Sequence, residues 1–274
     1  MRTIVITGAS DGIGAAAARQ LADTGARLIL VGRSPEKTRA VAEATDSEHH
    51  LADFTRLDDV RRLAAALDES CDRIDVLANN AGGMFSGPTA TGDGFEQTFQ
   101  VNHLAPYLLT NLLLDKLLDS RAAVVNTASI GARLFGDIDL DDLNNWRGFT
   151  PTKAYGDAKL ANILFTRGLH DRFHARGLSS VALHPGNVAT NFASDTDSCF
   201  RRIYHGALKR FLISPERGGR RLRYFIDGEP GDAWRSGDYY VAPRRIGRTN
   251  RQAYDPHIVR EHWQRSADLL GVHW

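Results

Sequence analysis

Tyr155 and Lys159 stand four residues apart in the stretch Ala154-Tyr155-Gly156-Asp157-Ala158-Lys159-Leu160-Ala161-Asn162. Apolar residues recur at Leu160, Ile163, Leu164 and Leu169, and that spacing predicts an amphipathic helix from about Pro151 to Arg176. On a helix, side chains four residues apart meet on one face. A free phenol titrates near about 10 and is a poor base at neutral pH. An ammonium beside it favours the phenolate. The pair is therefore a proton donor and acceptor that can be tuned towards neutral pH. The same spacing also describes an ordinary surface pair, so the elements that would position it have to decide.

The chain opens with a β-branched, apolar run from Thr3 to Thr7, the pattern of a buried strand. Thr7-Gly8-Ala9-Ser10-Asp11-Gly12-Ile13-Gly14 follows, then an Ala-rich helix to about Thr24, ended by Gly25. A glycine-rich turn between strand and helix lets backbone N–H groups approach a phosphate, and the helix dipole favours the anion. Gly8, Ser10, Asp11, Gly12, Ile13 and Gly14 are the candidate contacts. With a second strand at Arg27 to Val31, this is a dinucleotide-binding start.

An acidic residue at the end of that second strand would bind the ribose 2′-hydroxyl of NAD. Gly32-Arg33-Ser34 stands there instead, and Arg33 could pair with a 2′-phosphate. Asp11 opposes this reading unless its carboxylate caps the helix.

The alternation continues. Strands are expected at His49 to Leu51, Ile74 to Ala78, Ala122 to Thr127 and Ser180 to Leu183, with helices at Leu57 to Leu67 and Phe95 to Leu118. It implies an α/β fold, a Rossmann-like doubly wound parallel sheet with helices on both faces. No linker or further repeat is evident, so residues 1–274 are read as a single domain. Its substrate side would be the irregular segment at about 187–216, which follows a strand's carboxyl end. Phe192, Phe200, Tyr204 and Phe211 in that segment could wall an apolar pocket, with simple packing the other reading.

Composition narrows the classes. The chain is 42% hydrophobic and 24% charged, with a formal net charge of +1, an ordinary globular balance. It gives no reason to expect a nucleic-acid partner, and the arginine runs at Arg217 to Arg223 and Arg244 to Arg251 read as solvated or subunit-contact faces. Cys71 and Cys199 have neither metal-like spacing nor a disulfide framework. His170 and His174 lie four apart but lack a third ligand, so no metal is expected. The start lacks a signal-peptide pattern and no apolar run reaches about 18 residues, so we expect a cytoplasmic protein without a membrane span.

Six motifs occur together and in order: Thr7-Gly8-x-x-x-Gly12-x-Gly14, Asn79-Asn80-Ala81-Gly82, Asn102, Ser129, Tyr155-x-x-x-Lys159 and Pro185-Gly186-x-Val188-x-Thr190. Over nearly its whole length the chain resembles the short-chain dehydrogenase/reductase family. Ala154-Tyr155-Gly156 followed by Lys159 to Phe165, together with Arg33, resembles its retinol-dehydrogenase-like branch. Asp11 and Gly83-Met84 depart from the family pattern.

The resemblance implies roles. Tyr155 would be the general acid/base, and Lys159 would tune it and hold the nicotinamide ribose. Ser129 would polarise the substrate carbonyl, and Asn102 would support a water chain to Lys159. Asn80, Ala81, Gly82 and Thr127 would line the cofactor, Asp53 and Phe54 would contact adenine, and Pro185, Gly186, Val188 and Thr190 would cover the nicotinamide end. Ser129, Tyr155 and Phe192 would meet the substrate. The implied activity is hydride exchange between a hydrophobic alcohol and its ketone or aldehyde, with NADP(H) preferred and NAD(H) the second option. Subunit number stays open, a homo-oligomer included. The alternative is a non-catalytic NADP-sensing protein of the same fold, a class that commonly lacks the Tyr–Lys pair. An epimerase or dehydratase of the extended branch would carry a different glycine spacing.

Overall fold

A computed structural model describes residues 1–186 and 213–274. Strands β1 (Thr3–Thr7), β2 (Arg27–Gly32), β3 (Glu48–Leu51), β4 (Val76–Asn79), β5 (Ala123–Thr127), β6 (Ser179–Leu183), β7 (Tyr239–Ala242) and β8 (Arg245–Ile246) form one sheet. Its order is β3-β2-β1-β4-β5-β6-β7-β8, with β8 antiparallel to β7 and every other pairing parallel. The order reverses between β1 and β4. That reversal opens a crevice at the strands' carboxyl ends, where ligands of such sheets bind.

Alternate strand residues feed two apolar layers. Ile4, Ile6, Leu28 and Leu30 pack with Ala15, Ala17, Ala18 and Leu21 of α1 (Gly12–Leu21), with Val41 of α2 (Pro35–Ala44), and with Leu222 and Phe225 of α9 (Pro215–Asp227). Val5, Ile29, Leu77 and Val124 pack on the opposite side with α3 (Leu57–Ser70), α5 (Ala105–Leu112), α8 (Pro151–Phe173) and α10 (Pro256–Leu270). A parallel sheet buried on both faces needs such continuous apolar strands. Among the described residues, no helix is long and apolar enough to cross a membrane.

Two expectations are corrected. The long helix of Phe95 to Leu118 is broken into α4 (Gln97–Phe99), α5 and α6 (Leu114–Asp119). Between α4 and α5 the helix widens over Gln100–Leu104, where the Ala105 N–H reaches back to the Gln100 carbonyl. Pro106 accounts for this: it has no N–H for the Asn102 carbonyl four residues earlier, and its ring would crowd that oxygen. Second, α8 is not half exposed. Every residue from Ala154 to Thr166 is buried. The C-terminal helix α10 covers its outer side, and a Cβ on Gly168 would lie 2.4 Å from the Trp263 ring. Of the irregular 187–216 segment only residues 213–216 are described, and Pro215 and Glu216 already belong to α9.

Candidate active site

Four turns and one helix converge on the crevice. After β1, Gly8 and Gly12 take φ of +66° and +56°, left-handed values that favour glycine. A Cβ on Gly14 would lie 2.3 Å from the Gly8 carbonyl oxygen, so the loop folds flat against the start of α1. Asp11 caps that helix, the second of the two readings its position allows: its Oδ1 accepts from the Gly12 N–H at 2.7 Å. Its Oδ2 pairs with Lys37 Nζ at 2.9 Å, a contact that no local pattern announces. Arg33 is exposed just beyond β2. Gly32 before it has no room for a side chain, since a Cβ there would lie 2.3 Å from Thr38 Oγ1 and 2.8 Å from Ser10 Cβ.

The turn after β4 is stapled to the glycine loop. Asn80 Nδ2 donates to the Thr7 carbonyl at 3.0 Å, and Thr7 Oγ1 accepts from the Asn80 and Ala81 N–H groups, each at 3.0 Å. Thr127 Oγ1, at the end of β5, donates to Asn80 Oδ1 at 3.3 Å. Asn102 is fully buried and spends its side chain on the same turn. Its Nδ2 donates to the Gly83 and Thr98 carbonyls at 2.8 Å each, and its Oδ1 accepts from the Gly83 N–H at 3.1 Å. A Cβ on Gly82 would lie 2.4 Å from Asn102 Oδ1 and 3.0 Å from Lys159 Nζ. Glycine there lets the lysine reach the crevice.

Lys159 is buried, with 2% of its surface exposed. Its Nζ donates to the Thr127 carbonyl at 3.2 Å and lies 5.6 Å from the centre of the Tyr155 ring. Burial pushes the ammonium down from the ordinary 10.5 to about 7. Ser129 follows β5 and its Oγ accepts from the Gly131 N–H at 3.1 Å. A Cβ on Gly131 would lie 3.1 Å from Tyr155 Cε1 and 3.4 Å from Ser129 Oγ. A side chain at 131 would press on the Tyr155 ring and touch Ser129 Oγ, so serine and tyrosine meet on either side of a position without one. Gly131 is not among the candidates read from sequence; its signal is a glycine two residues after the serine.

The other candidates are placed as follows. Asp53 is half-buried and its Oδ1 accepts from the Thr55 N–H at 3.0 Å, while the Phe54 ring is buried in the core beside Leu57. Ser10 and Ile13 are half-buried along the loop. Pro185 is buried, and Gly186 has φ of +101° against Ile213 and Arg221. His184, just before them, accepts from the Ile130 N–H at Nδ1 over 3.4 Å, and burial with the nearby Arg221 charge pushes its pKa to about 4. It joins the serine turn to the Pro-Gly turn, and it too is absent from the candidates read from sequence. Val188, Thr190 and Phe192, with Phe200, Tyr204 and Phe211, lie outside the described residues. His170 and His174 stack on each other and bond to Ser236 Oγ and the Leu178 carbonyl. Among the described residues, no group of three or more His, Cys, Asp or Glu side chains could hold a metal ion.

A strand–glycine loop–helix start, a stapled Asn turn, and a Ser, Tyr and Lys set on one parallel sheet define the class. The family model described as short chain dehydrogenase matches residues 2–198, and the chain belongs to that family. It falls in the retinol-dehydrogenase-like branch. Human retinol dehydrogenase 13 is 37% identical over 286 residues, covering 99% of this chain and 85% of that one. A protein of Streptomyces sp. (strain C5), provisionally named daunorubicin C-13 ketoreductase, is 37% identical over 279 residues, covering 98% and 93%. The crystal structure of an uncharacterized protein from Mycobacterium paratuberculosis superposes with a TM-score of 0.78 at 34% identity, covering 100% of this chain and 94% of that one. The protein is therefore an oxidoreductase of the alcohol–carbonyl class.

Proposed function

We propose that the protein interconverts an alcohol and a ketone or aldehyde on a hydrophobic small molecule, with NADP(H) as the preferred partner in hydride transfer. One observation carries the reading: Ser129 Oγ and the Tyr155 ring meet at the vacant Cβ position of Gly131, with the buried Lys159 ammonium behind the ring. The relatives named for retinol and for a daunorubicin ketone support the substrate class.

The residues present fit a nicotinamide dinucleotide. Gly8, Gly12 and Gly14 give a loop whose backbone can approach a diphosphate at the start of α1. Lys159 is buried with a single hydrogen bond to protein among the described residues, so two of its three donors suit ribose hydroxyls. When bound, the cofactor supplies or removes the hydride. Tyr155 gives its phenolic proton to the carbonyl oxygen in reduction and takes it back in oxidation. Ser129 donates a hydrogen bond to that oxygen as charge develops. Asn102 fixes the Gly82–Gly83 turn beside Lys159 through its side chain. Its backbone carbonyl, denied an N–H by Pro106, suits the water chain expected there.

Preference for the 2′-phosphorylated cofactor rests on Arg33. The position before it cannot carry a carboxylate, because Gly32 is closed in by Thr38 and Ser10. The Asp11 carboxylate is turned to its helix cap and to Lys37, which offsets its repulsion of a phosphate. A panel of apolar ketones and aldehydes, followed by loss of NADPH absorbance, tests the proposal. Turnover of at least one member is expected. Cofactor binding with no turnover across the panel would favour the sensing alternative.

A further inference from the structure

Tyr155, Lys159, Asn162 and Thr166 follow one stripe of α8, three or four residues apart, against the end of β5. The last two have no part in the proton chemistry above, yet they are bonded into it. Asn162 Nδ2 donates to the Thr127 carbonyl at 3.2 Å. That oxygen also accepts from Lys159 Nζ. One turn on, Thr166 Oγ1 accepts from Asn126 Nδ2 at 2.9 Å and donates to the Asn162 carbonyl at 2.8 Å. Asn126 Oδ1 in turn accepts from Asn79 Nδ2 at 3.0 Å. All of these side chains are buried. Polar groups in a dry interior are costly unless bonded, and apolar residues would join helix to strand at less cost.

A carbonyl oxygen has two lone pairs, and a lysine ammonium has three donors. Asn162 occupies one lone pair of the Thr127 oxygen and leaves Lys159 the other. We infer that Asn162 is a positioning residue for Lys159: it pins the Thr127 carbonyl against α8 and restricts the ammonium to one protein acceptor, keeping its other donors for the nicotinamide ribose. The inference rests on the role proposed above for Lys159.

The titratable groups around this point offer no competing charge. Tyr155 shares the helix, His103 lies on the widened turn, His262 on α10 and His184 after β6. The three histidines are held neutral by burial. Asp157 is turned to Lys153 and to the Asp137 N–H. Burial holds the Lys159 pKa low, and an acceptor within reach of the ammonium opposes that by favouring the charged form.

Removing the Asn162 amide returns a lone pair of the Thr127 carbonyl oxygen to Lys159. That change favours the charged lysine and draws it towards the strand. Asn162→Ala also admits water, which acts with the same sign. The test is NADPH binding followed by fluorescence from about pH 6 to pH 10 in the wild type, Asn162→Leu, Asn162→Ala and Lys159→Ala, with thermal unfolding to confirm each fold. Affinity should fall as pH rises through the lysine's titration. In both Asn162 variants the midpoint of that fall should move up by at least about half a pH unit, roughly a threefold change in proton affinity. Affinity at the acid end should weaken severalfold, and Lys159→Ala should abolish the pH dependence. An unmoved midpoint in folded Asn162 variants overturns the inference, as does loss of folding in both. Persistence of the fall in Lys159→Ala would instead overturn the reading of Lys159.

Discussion

Lys159→Met is expected to stabilise the cofactor-free protein while removing its chemistry. The ammonium is buried and its pKa falls from 10.5 to about 7. At about 1.4 kcal/mol for each pH unit, that fall corresponds to roughly 5 kcal/mol against the charged folded form. The sign follows from linkage. The unfolded chain holds the proton up to about pH 10.5, whereas the folded chain releases it near 7, so between those values the unfolded state binds more protons and stability rises with pH. Below the folded value the full burden is present, and above the unfolded one it is gone. Methionine matches the stem, carries no charge and fills the same space. The variant should exceed the wild type by roughly 4 kcal/mol at pH 7 and by less than about 1 kcal/mol at pH 10, as the integrated linkage requires. Denaturant unfolding of both proteins without cofactor, at several pH values between these limits, reads the difference directly. Other groups titrating in the range cancel in the comparison. A methionine variant no more stable than wild type, or a difference independent of pH, would show that the lysine is hydrated, and the argument from its burial would fail.

Two further outcomes follow from the same geometry. Arg33→Asp should reverse or erase a preference for NADPH over NADH of about tenfold in kcat/KM, worth about 1.4 kcal/mol; a wild type that prefers NADH, or a variant with an unchanged ratio, makes Arg33 a surface residue. Gly131→Ala would set a carbon 3.1 Å from Tyr155 Cε1 and 3.4 Å from Ser129 Oγ, so kcat should fall about tenfold or more through misplacement with NADPH affinity nearly unchanged. Equal loss in both would place the damage elsewhere.

Much of this is legible in local patterns of the chain. The glycine loop, the Asn-Asn-Ala-Gly turn and the Tyr155–Lys159 spacing are each written within a few residues, and strand-helix alternation gives the parallel sheet. For Asp11 the sequence leaves two readings, a helix cap or a charge facing the ribose phosphate, and the fold shows the cap. What escapes depends on contacts between distant segments. The sequence suggests an exposed face on α8, but Trp263, nearly a hundred residues on, closes it against Gly168, on the side of the helix away from Lys159. Pro106 reads as an interruption of an apolar run, whereas its effect is to widen the turn that carries Asn102. Gly82 is legible as part of its motif, but what it and Gly131 leave empty, beside Lys159 and Tyr155, is set by residues brought in from elsewhere in the chain. Lys37 is one charge among many in the sequence, and only the fold places it on Asp11.

In the proposed reaction Tyr155 moves the proton beside Lys159 and Ser129. Single-turnover reduction of an accepted ketone, with NADPH prebound to wild type and to Tyr155→Phe, tests it most directly. The ring is kept and only the acidic hydroxyl is lost, so cofactor affinity should be nearly unchanged while the rate falls on the order of 10²–10⁴-fold. A phenylalanine variant that reduces the ketone at the wild-type rate would contradict the account.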